Sequence, residues 1–218
     1  MTKHAWQAVF FDFDGVIADS TEVKCQAFAH LFAPYGETVQ QAVVRYHLAH
    51  GGMPRHEKLR HCYEQIAGQQ PSYEEVQRAG ERFAAVVFDG VVAAPLLPGV
   101  AATLNLLQNQ GCPAFVVSGT PHEEMNRIVQ QRDMSRLFTE VHGSPRKKAV
   151  IVADILSRFA FNPACCLFVG DALADYQAAQ ATGLHFLGVV PADTLSPFPE
   201  YVITTATVFV PSLHQQRE

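Results

Sequence analysis

The feature that most constrains the fold of this chain is the alternation of segment types in its second half. From residue 98 onward, helical segments alternate with short apolar segments such as CPAFVVSG, CCLFVGD and LHFLGVV. This alternation is typical of a parallel sheet with helices on both faces. Residues 6–13, WQAVFFDF, are an apolar and aromatic segment of the same kind. The pattern therefore predicts an α/β fold built on a doubly wound parallel sheet.

The segment between the first strand and residue 92 has a different character. Four stretches with helical spacing follow one another there, separated by Pro and Gly residues such as Gly51-Gly52 and Pro71. No strand pattern interrupts them. We predict a Rossmann-like core formed by residues 1–17 and 93–218, with an all-helical cap domain, residues 18–92, inserted after the first strand. Residues 201–210, YVITTATVFV, contain a last short strand in this prediction.

Composition excludes several classes of protein. The chain has 218 residues, of which 48% are hydrophobic and 17% charged, and its net charge is −5. This is ordinary globular composition, and it indicates no nucleic acid or membrane partner. No apolar stretch resembles a signal peptide or a spanning helix. The five cysteines form no CxxC pair, so we expect reduced thiols and a cytoplasmic location. We also expect a monomer or homodimer.

Polar and small residues stand where the predicted strands end. Ligands of doubly wound sheets bind beyond the carboxyl ends of the strands, so these residues are candidates for chemistry. A lysine pair at the start of a predicted helix is a further candidate. The candidates are Asp12 and Asp14, Ser118-Gly119-Thr120, Gly170-Asp171 with Asp175, and Lys147-Lys148.

Together these residues suit phosphoryl transfer. Clustered carboxylates need a cation, and hard oxygen ligands favour Mg²⁺. A hydroxyl, backbone N–H groups and a lysine could hold phosphate oxygens while a carboxylate attacks phosphorus. Each motif alone has a structural interpretation: a DxD pair is common, SGT suits a turn, GDxxxD suits a helix start and the lysines suit a solvated face. Their order and their placement at strand ends favour the functional interpretation.

The set DFDGV, SGT, a lysine and GDALAD, in this order, resembles the haloacid dehalogenase superfamily of phosphohydrolases. The resemblance covers nearly the whole chain, including the helical insert. It implies that Asp12 is the nucleophile, that Asp14 is the general acid and base and offers its backbone carbonyl to Mg²⁺, and that Asp171 is a metal ligand. Ser118 and the Gly119 N–H would bind phosphate, and Asp175 would support the metal or the lysine.

Two details of the resemblance bear on the chemistry. The family lysine matches Lys148 better than Lys147, because the family pattern is a proline, two residues and then the lysine, as in PRKK, but Lys147 stays open. Family members that cleave carbon–halogen bonds lack an acid at the position of Asp14, so its presence favours phosphate transfer over dehalogenation.

The segment HGGMPRHEKLRHC is the part of the insert that indicates substrate binding. Arg55 and Lys58 lie three residues apart and suit a second anionic group on the substrate, although a solvated basic helix face is the alternative. His47 and His50 have the spacing of a zinc pair, but no further ligand completes a set, and we interpret them as ordinary surface or partly buried histidines. His122 follows SGTP and could touch substrate or simply begin a helix.

These observations predict a Mg²⁺-dependent phosphatase that acts on a small phosphorylated metabolite. A sugar phosphate and phosphoglycolate are the expected substrate classes, and GGMPRHEKLR resembles cap segments of relatives associated with surface-sugar metabolism. A phosphomutase of the β-phosphoglucomutase type is the first alternative. A non-catalytic binding protein on the same fold is the second, and the presence of Asp12, Asp14 and Asp171 argues against it.

Overall fold

Six parallel strands form the centre of the molecule. The computed structural model describes residues 6–192 and 194–208. The sheet has the order β3-β2-β1-β4-β5-β6, and every neighbouring pair is parallel. The predicted α/β fold with a doubly wound parallel sheet is confirmed. The strands are β1 Ala8–Phe11, β2 Ala114–Pro121, β3 Glu140–Ser144, β4 Cys166–Gly170, β5 His185–Val189 and β6 Thr204–Thr205.

The described residues contain eight α-helices. The first five lie between β1 and β2 in the chain, and the first four of these form the insert; a π-helical segment, Cys62–Ile66, continues the third. None of the helices in the described ranges is long and apolar enough to cross a membrane. The helices are α1 Thr21–Phe32, α2 Glu37–Ala49, α3 Arg55–His61, α4 Tyr73–Ala93, α5 Val100–Asn109, α6 His122–Gln131, α7 Lys148–Phe159 and α8 Leu173–Thr182.

The alternation of side chains along β1 separates two hydrophobic layers. Ala8 and Phe10 point to one face, where they join a buried cluster with α7 and α8. Val9 and Phe11 point to the opposite face and join a larger cluster that includes α5, α6 and the helices of the insert. Because successive strand residues face opposite sides, a fully apolar strand is suited to burial on both faces. The sheet thereby holds the end of β1 rigidly in the centre of the molecule.

Hydrogen bonds between the two connecting segments tie the helical insert to the sheet. The Asp19 N–H donates to the Pro95 carbonyl at 2.9 Å, and the Leu97 N–H donates to the Ile17 carbonyl at 3.0 Å. The segment that leads from β1 into the insert and the segment that leads back out of it therefore run side by side. The boundaries at residues 17/18 and 92/93 stay a prediction, which these bonds support.

The structure differs from the sequence-based prediction mainly at the sheet edge. Strand β3 was not predicted, because EVHGS is short, half-buried at its start and lacks an apolar run. It is an edge strand, and one exposed side removes the pattern that a central strand shows. The predicted first strand, residues 6–13, is shorter and spans Ala8–Phe11. The last strand is only Thr204–Thr205, and residues 209–210 of its predicted segment lie outside the described residues.

Candidate active site

The candidate site lies at the switch point of the sheet. The chain goes from β1 outward to β2 and β3, then returns to place β4 on the other side of β1. Neighbouring connections therefore leave a crevice at the carboxyl ends of β1 and β4. Phe11 and Val169 are paired in the ladder, so Asp12 and Asp171 follow the two strands at nearly the same level. The two predicted motifs meet because parallel strands end at the same edge.

Asp12 is bound on two sides. Its Oδ1 atom accepts a hydrogen bond from the Phe13 N–H at 2.7 Å, and its Oδ2 atom lies 2.7 Å from Lys148 Nζ. Lys148 Nζ also lies 2.6 Å from Asp175 Oδ1. Burial alone would lower the pKa of Lys148, but the charges of Asp12 and Asp175 outweigh it and hold that pKa above its usual range. Lys148 is therefore a fixed cation beside the Asp12 carboxylate, whereas Lys147 is exposed.

Three acids gather around this lysine. Carboxylate oxygens of Asp12, Asp171 and Asp175 all lie within 4.8 Å of one another. Burial, followed by the charges of Asp12 and Asp175, raises the pKa of Asp171 well above its usual value. Asp12 and Asp175 are buried and Asp171 is half-buried, so a single lysine does not compensate the three carboxylates, and oxygen donors of this kind suit Mg²⁺. The donor set therefore fits a hard divalent cation, and Asp171 is its least compensated member.

Gly15 is required where the loop after β1 meets Asp171. Its φ of +77° lies in the left-handed region, and a Cβ built there would stand 2.3 Å from Asp171 Oδ2. A larger residue would be strained and would collide with the carboxylate. The glycine that follows the DFD motif thus lets the two acid-bearing segments approach each other.

Ser118 and Gly119 lie at the end of β2, beside the loop between α2 and α3. Ser118 is buried, and its Oγ accepts a hydrogen bond from the Thr120 N–H at 3.1 Å. A Cβ on Gly119 would stand 2.7 Å from the Gly52 carbonyl oxygen. The insert loop therefore passes directly over the segment predicted to bind phosphate, and only glycine allows that approach.

Asp14 lies apart from the three-acid cluster. Its Oδ1 accepts a hydrogen bond from Ser20 Oγ at 2.6 Å, and its Oδ2 accepts bonds from Thr120 Oγ1 at 3.2 Å and from Lys24 Nζ. Burial by itself would raise the pKa of Asp14, but the Lys24 charge and these hydrogen bonds together lower it. Asp14 is consequently held as a carboxylate at the base of the insert.

A cavity of about 480 Å³ opens above these residues, between the sheet edge and the helical insert. Asp12, Asp14 and Asp171 line this space, which a small molecule can occupy, whereas Ser118 and Lys148 line an adjoining cavity of about 380 Å³. Its walls come from both parts of the chain. The polar side chains in its lining include Asp12, Asp14, Asp171, Lys24, His47, Arg55 and Lys58.

Arg55 and Lys58, the two basic residues predicted to bind an anionic group of the substrate, have different environments. Arg55 forms two hydrogen bonds with Glu124, at 2.7 and 2.5 Å, and its guanidinium lies 4.8 Å from the centre of the Phe83 ring. Lys58 Nζ lies 2.9 Å from His47 Nδ1. Both cations line the cavity and both are buried, so neither belongs to a solvated helix face.

The histidines weighed as zinc ligands have other partners. His47 bonds Lys58, whereas the His50 ring stacks on Tyr46 at 3.9 Å between centroids. His122 is exposed at the start of α6 and accepts a weak hydrogen bond from the Gly143 N–H at 3.4 Å. In the described ranges the acid cluster is the sole group arranged to hold a metal ion. All five cysteines carry free thiols.

The sequence did not predict three residues that line the candidate site or contact its side chains. Lys24 had a local signal, since it lies one helical turn before the buried Phe28 and so on the inward face of α1. Glu124 looked like an ordinary acid in a first helical turn. His47 was weighed only as a metal ligand, and nothing in the sequence places it beside Lys58.

Comparison with known proteins agrees with this geometry. The family model of haloacid dehalogenase-like hydrolases matches residues 6–183. The chain therefore belongs to the haloacid dehalogenase-like hydrolase family, and the predicted family and hydrolase class are confirmed.

Individual relatives agree with the family assignment. The chain is 28% identical to the phosphoglycolate phosphatase of Synechococcus elongatus over 84% of this chain and 83% of the relative. Its fold is similar to β-phosphoglucomutase from Clostridium difficile, with a TM-score of 0.75, 17% identity and coverage of 96% of each chain. It is also similar to CbbY from Rhodobacter sphaeroides, solved in complex with phosphate, with a TM-score of 0.69, 18% identity and coverage of 93% and 94%.

Proposed function

We propose that this hydrolase is a Mg²⁺-dependent phosphatase that cleaves small phosphate monoesters through an aspartyl-phosphate on Asp12. One observation carries the proposal. The Asp12 carboxylate stands at the floor of the cavity, 2.7 Å from Lys148 and within the three-acid cluster. A nucleophile, a cation for the phosphate and a cation-binding site are thereby in one place.

In the first half-reaction Asp12 Oδ attacks phosphorus and the bond from phosphorus to the leaving oxygen breaks. Ser118, the Gly119 N–H and Lys148 bind the phosphoryl oxygens. Asp14 gives its proton to the leaving alcohol. Lys24 favours the charged form of Asp14, so Asp14 must leave Lys24 before it can carry this proton.

In the second half-reaction Asp14 takes a proton from water, and the water oxygen attacks phosphorus. The bond from phosphorus to Asp12 breaks, which releases inorganic phosphate and regenerates the Asp12 carboxylate and the protonated Asp14. The Asp12 and Asp171 carboxylates and the Asp14 backbone carbonyl would hold Mg²⁺, and Asp175 would fix Lys148, which it contacts at 2.6 Å. When bound, the ion neutralises charge on the phosphoryl oxygens.

The relatives and the cavity support two substrate classes. The Synechococcus relative is a phosphoglycolate phosphatase, and a cavity of about 480 Å³ also has room for a sugar phosphate. We propose these two classes as substrates. We also propose that the protein acts in the cytoplasm and binds neither nucleic acid nor membranes.

The test is phosphate release from a panel of phosphorylated metabolites with Mg²⁺, with Asp12→Asn beside the wild type. We expect release from at least one small monoester, and its loss by about 10⁴-fold or more in the variant because the nucleophile is gone. Release that survives Asp12→Asn would refute the assigned nucleophile. If the wild type turns over no substrate unless a sugar bisphosphate is added, the protein is a mutase instead.

A further inference from the structure

Three basic side chains line the cavity, and two of them have acid partners. Lys24 pairs with Asp14, and Arg55 pairs with Glu124. Lys58 is 3% exposed, and within residues 6–192 and 194–208 it has no carboxylate at ion-pair distance. A buried cation without a counterion is costly, since its desolvation is not offset. Among the described residues that line the cavity, Lys58 is therefore the cation that lacks a carboxylate partner.

His47 presents a second unsatisfied donor at the same place. Lys58 Nζ lies 2.9 Å from His47 Nδ1 and 3.4 Å from the His47 carbonyl oxygen. An ammonium group only donates, so Nδ1 accepts and the ring proton is on Nε2. The Nε2 atom is buried and has no hydrogen-bond partner in the described part of the chain, and the residue lines the cavity. The Lys58 ammonium group and the His47 Nε2–H can thus both donate to an acceptor bound beside the candidate catalytic residues.

We infer that Lys58 and His47 bind a carboxylate of the leaving alcohol and so determine which phosphate monoesters are hydrolysed. This inference rests on the proposed phosphatase function. A carboxylate has one charge and two acceptor oxygens, which match one ammonium and one N–H. Arg55 is not available for this role, because Glu124 already neutralises it. A phosphate dianion would need more positive charge than Lys58 alone supplies.

The acid–base properties of the pair are consistent with a missing anion. Burial, followed by the charge of Lys24, lowers the pKa of Lys58 to about 7. Burial and the charge of Lys58 lower the pKa of His47 to about 2, so the imidazole stays neutral. A bound carboxylate would raise the pKa of Lys58 back toward its ordinary value, because a nearby negative charge favours the ammonium form. The other charged or titratable groups that act on Lys58 are Cys62, Asp171 and Asp12.

The test compares matched substrates that differ only in the carboxylate. The pairs are 2-phosphoglycolate with 2-hydroxyethyl phosphate, and 3-phosphoglycerate with glycerol 3-phosphate. We expect Lys58→Met to lower kcat/KM for the carboxylates by about 10- to 100-fold, the size of a charged hydrogen bond, and to leave the neutral partners within about 3-fold. Arg60→Met, on the solvent side of the same helix, is the control and should change neither.

Two further readouts separate specificity from a structural role. Lys58→Met should melt at the same temperature as the wild type or higher, because it removes an uncompensated buried charge. The melting shift caused by each phosphate with Mg²⁺ present measures binding without turnover. We expect the carboxylate shift to exceed the neutral one in wild type and the difference to vanish in the variant.

The outcomes are distinguishable. Equal losses for both members of each pair, or an unchanged preference in Lys58→Met, would overturn the inference while the phosphatase stands. A preference for glucose 1,6-bisphosphate over glucose 6-phosphate that disappears in Lys58→Met would assign the pair to a second phosphate and overturn the carboxylate. No turnover of any monoester would refute the proposed function, and the melting shifts would still decide whether Lys58 selects carboxylates.

Discussion

At the scale of single residues, Asp14 links the two proposed half-reactions. It would supply a proton in the first and accept one in the second, yet Ser20, Thr120 and Lys24 now hold it as a carboxylate. Replacing the carboxylate by an amide would keep its size and remove its proton. Asp14→Asn therefore separates the two steps.

We predict that Asp14→Asn lowers kcat for alkyl phosphates by about 10²- to 10⁴-fold, the usual worth of a general acid or base. Because p-nitrophenolate leaves without a proton, p-nitrophenyl phosphate should still give a burst of p-nitrophenol equal to the enzyme present. Rapid-quench kinetics and intact mass would detect the burst and the phosphate on Asp12. Asp19→Asn, an exposed acid at the cavity rim, is the control; equal losses for both substrate types and no burst would contradict the role.

At the scale of elements, a buried ion pair joins α3 of the insert to α6 of the core. Arg55 is 6% exposed and Glu124 has 11% of its side chain exposed. The pair connects residues 69 positions apart in the chain. Removing only one partner of such a pair leaves an uncompensated charge, which is more costly than removing both.

We predict that Glu124→Gln destabilises the protein by roughly 3 kcal/mol, because Arg55 loses its counterion. The double variant Arg55→Met with Glu124→Gln should recover part of this loss, which chemical denaturation would measure. Glu123→Gln, at the neighbouring exposed position, is the control. A single-variant loss no larger than that of the control would mean that the pair does not stabilise the contact between α3 and α6.

At the scale of the whole molecule, the sheet concentrates negative charge where β1 and β4 end. Asp12, Asp171 and Asp175 share one lysine, and burial raises the pKa of Asp171. The fold therefore holds a cluster that is unfavourable until a cation neutralises it. Binding of that cation only to the folded state would stabilise the protein.

We predict that saturating Mg²⁺ raises the melting temperature of the wild type by several degrees, since about 2.7 kcal/mol is gained at about 100 times Kd. Asp171→Asn should lose this shift, and without Mg²⁺ it should melt at or above the wild-type temperature because one poorly compensated charge is removed. Thermal scans with and without the ion check both signs. Asp89→Asn, an exposed acid on α4, should keep the wild-type shift, and an undiminished shift in Asp171→Asn would exclude Asp171 as a ligand.

Much of the fold was predictable because its signals are local. The apolar run before Asp12, the small residues after β2 and the Gly170-Asp171 pair each follow a strand, and a parallel sheet brings strand ends to one edge. Helices α1 to α8 follow from spacing and from Pro and Gly positions. Strand β3 was missed because an edge strand need not be apolar.

By itself the sequence determined that the chain forms a parallel sheet, the order of the motifs and the residues at the ends of its central strands, because strand alternation and helical periodicity depend on neighbours a few residues apart. Only the tertiary structure decided which charges meet. Lys148 rather than Lys147 contacts Asp12, and Arg55 forms an ion pair with Glu124. Lys58 rests on His47 without an acid. These choices depend on how distant segments pack and where their side chains point, and no local pattern encodes that.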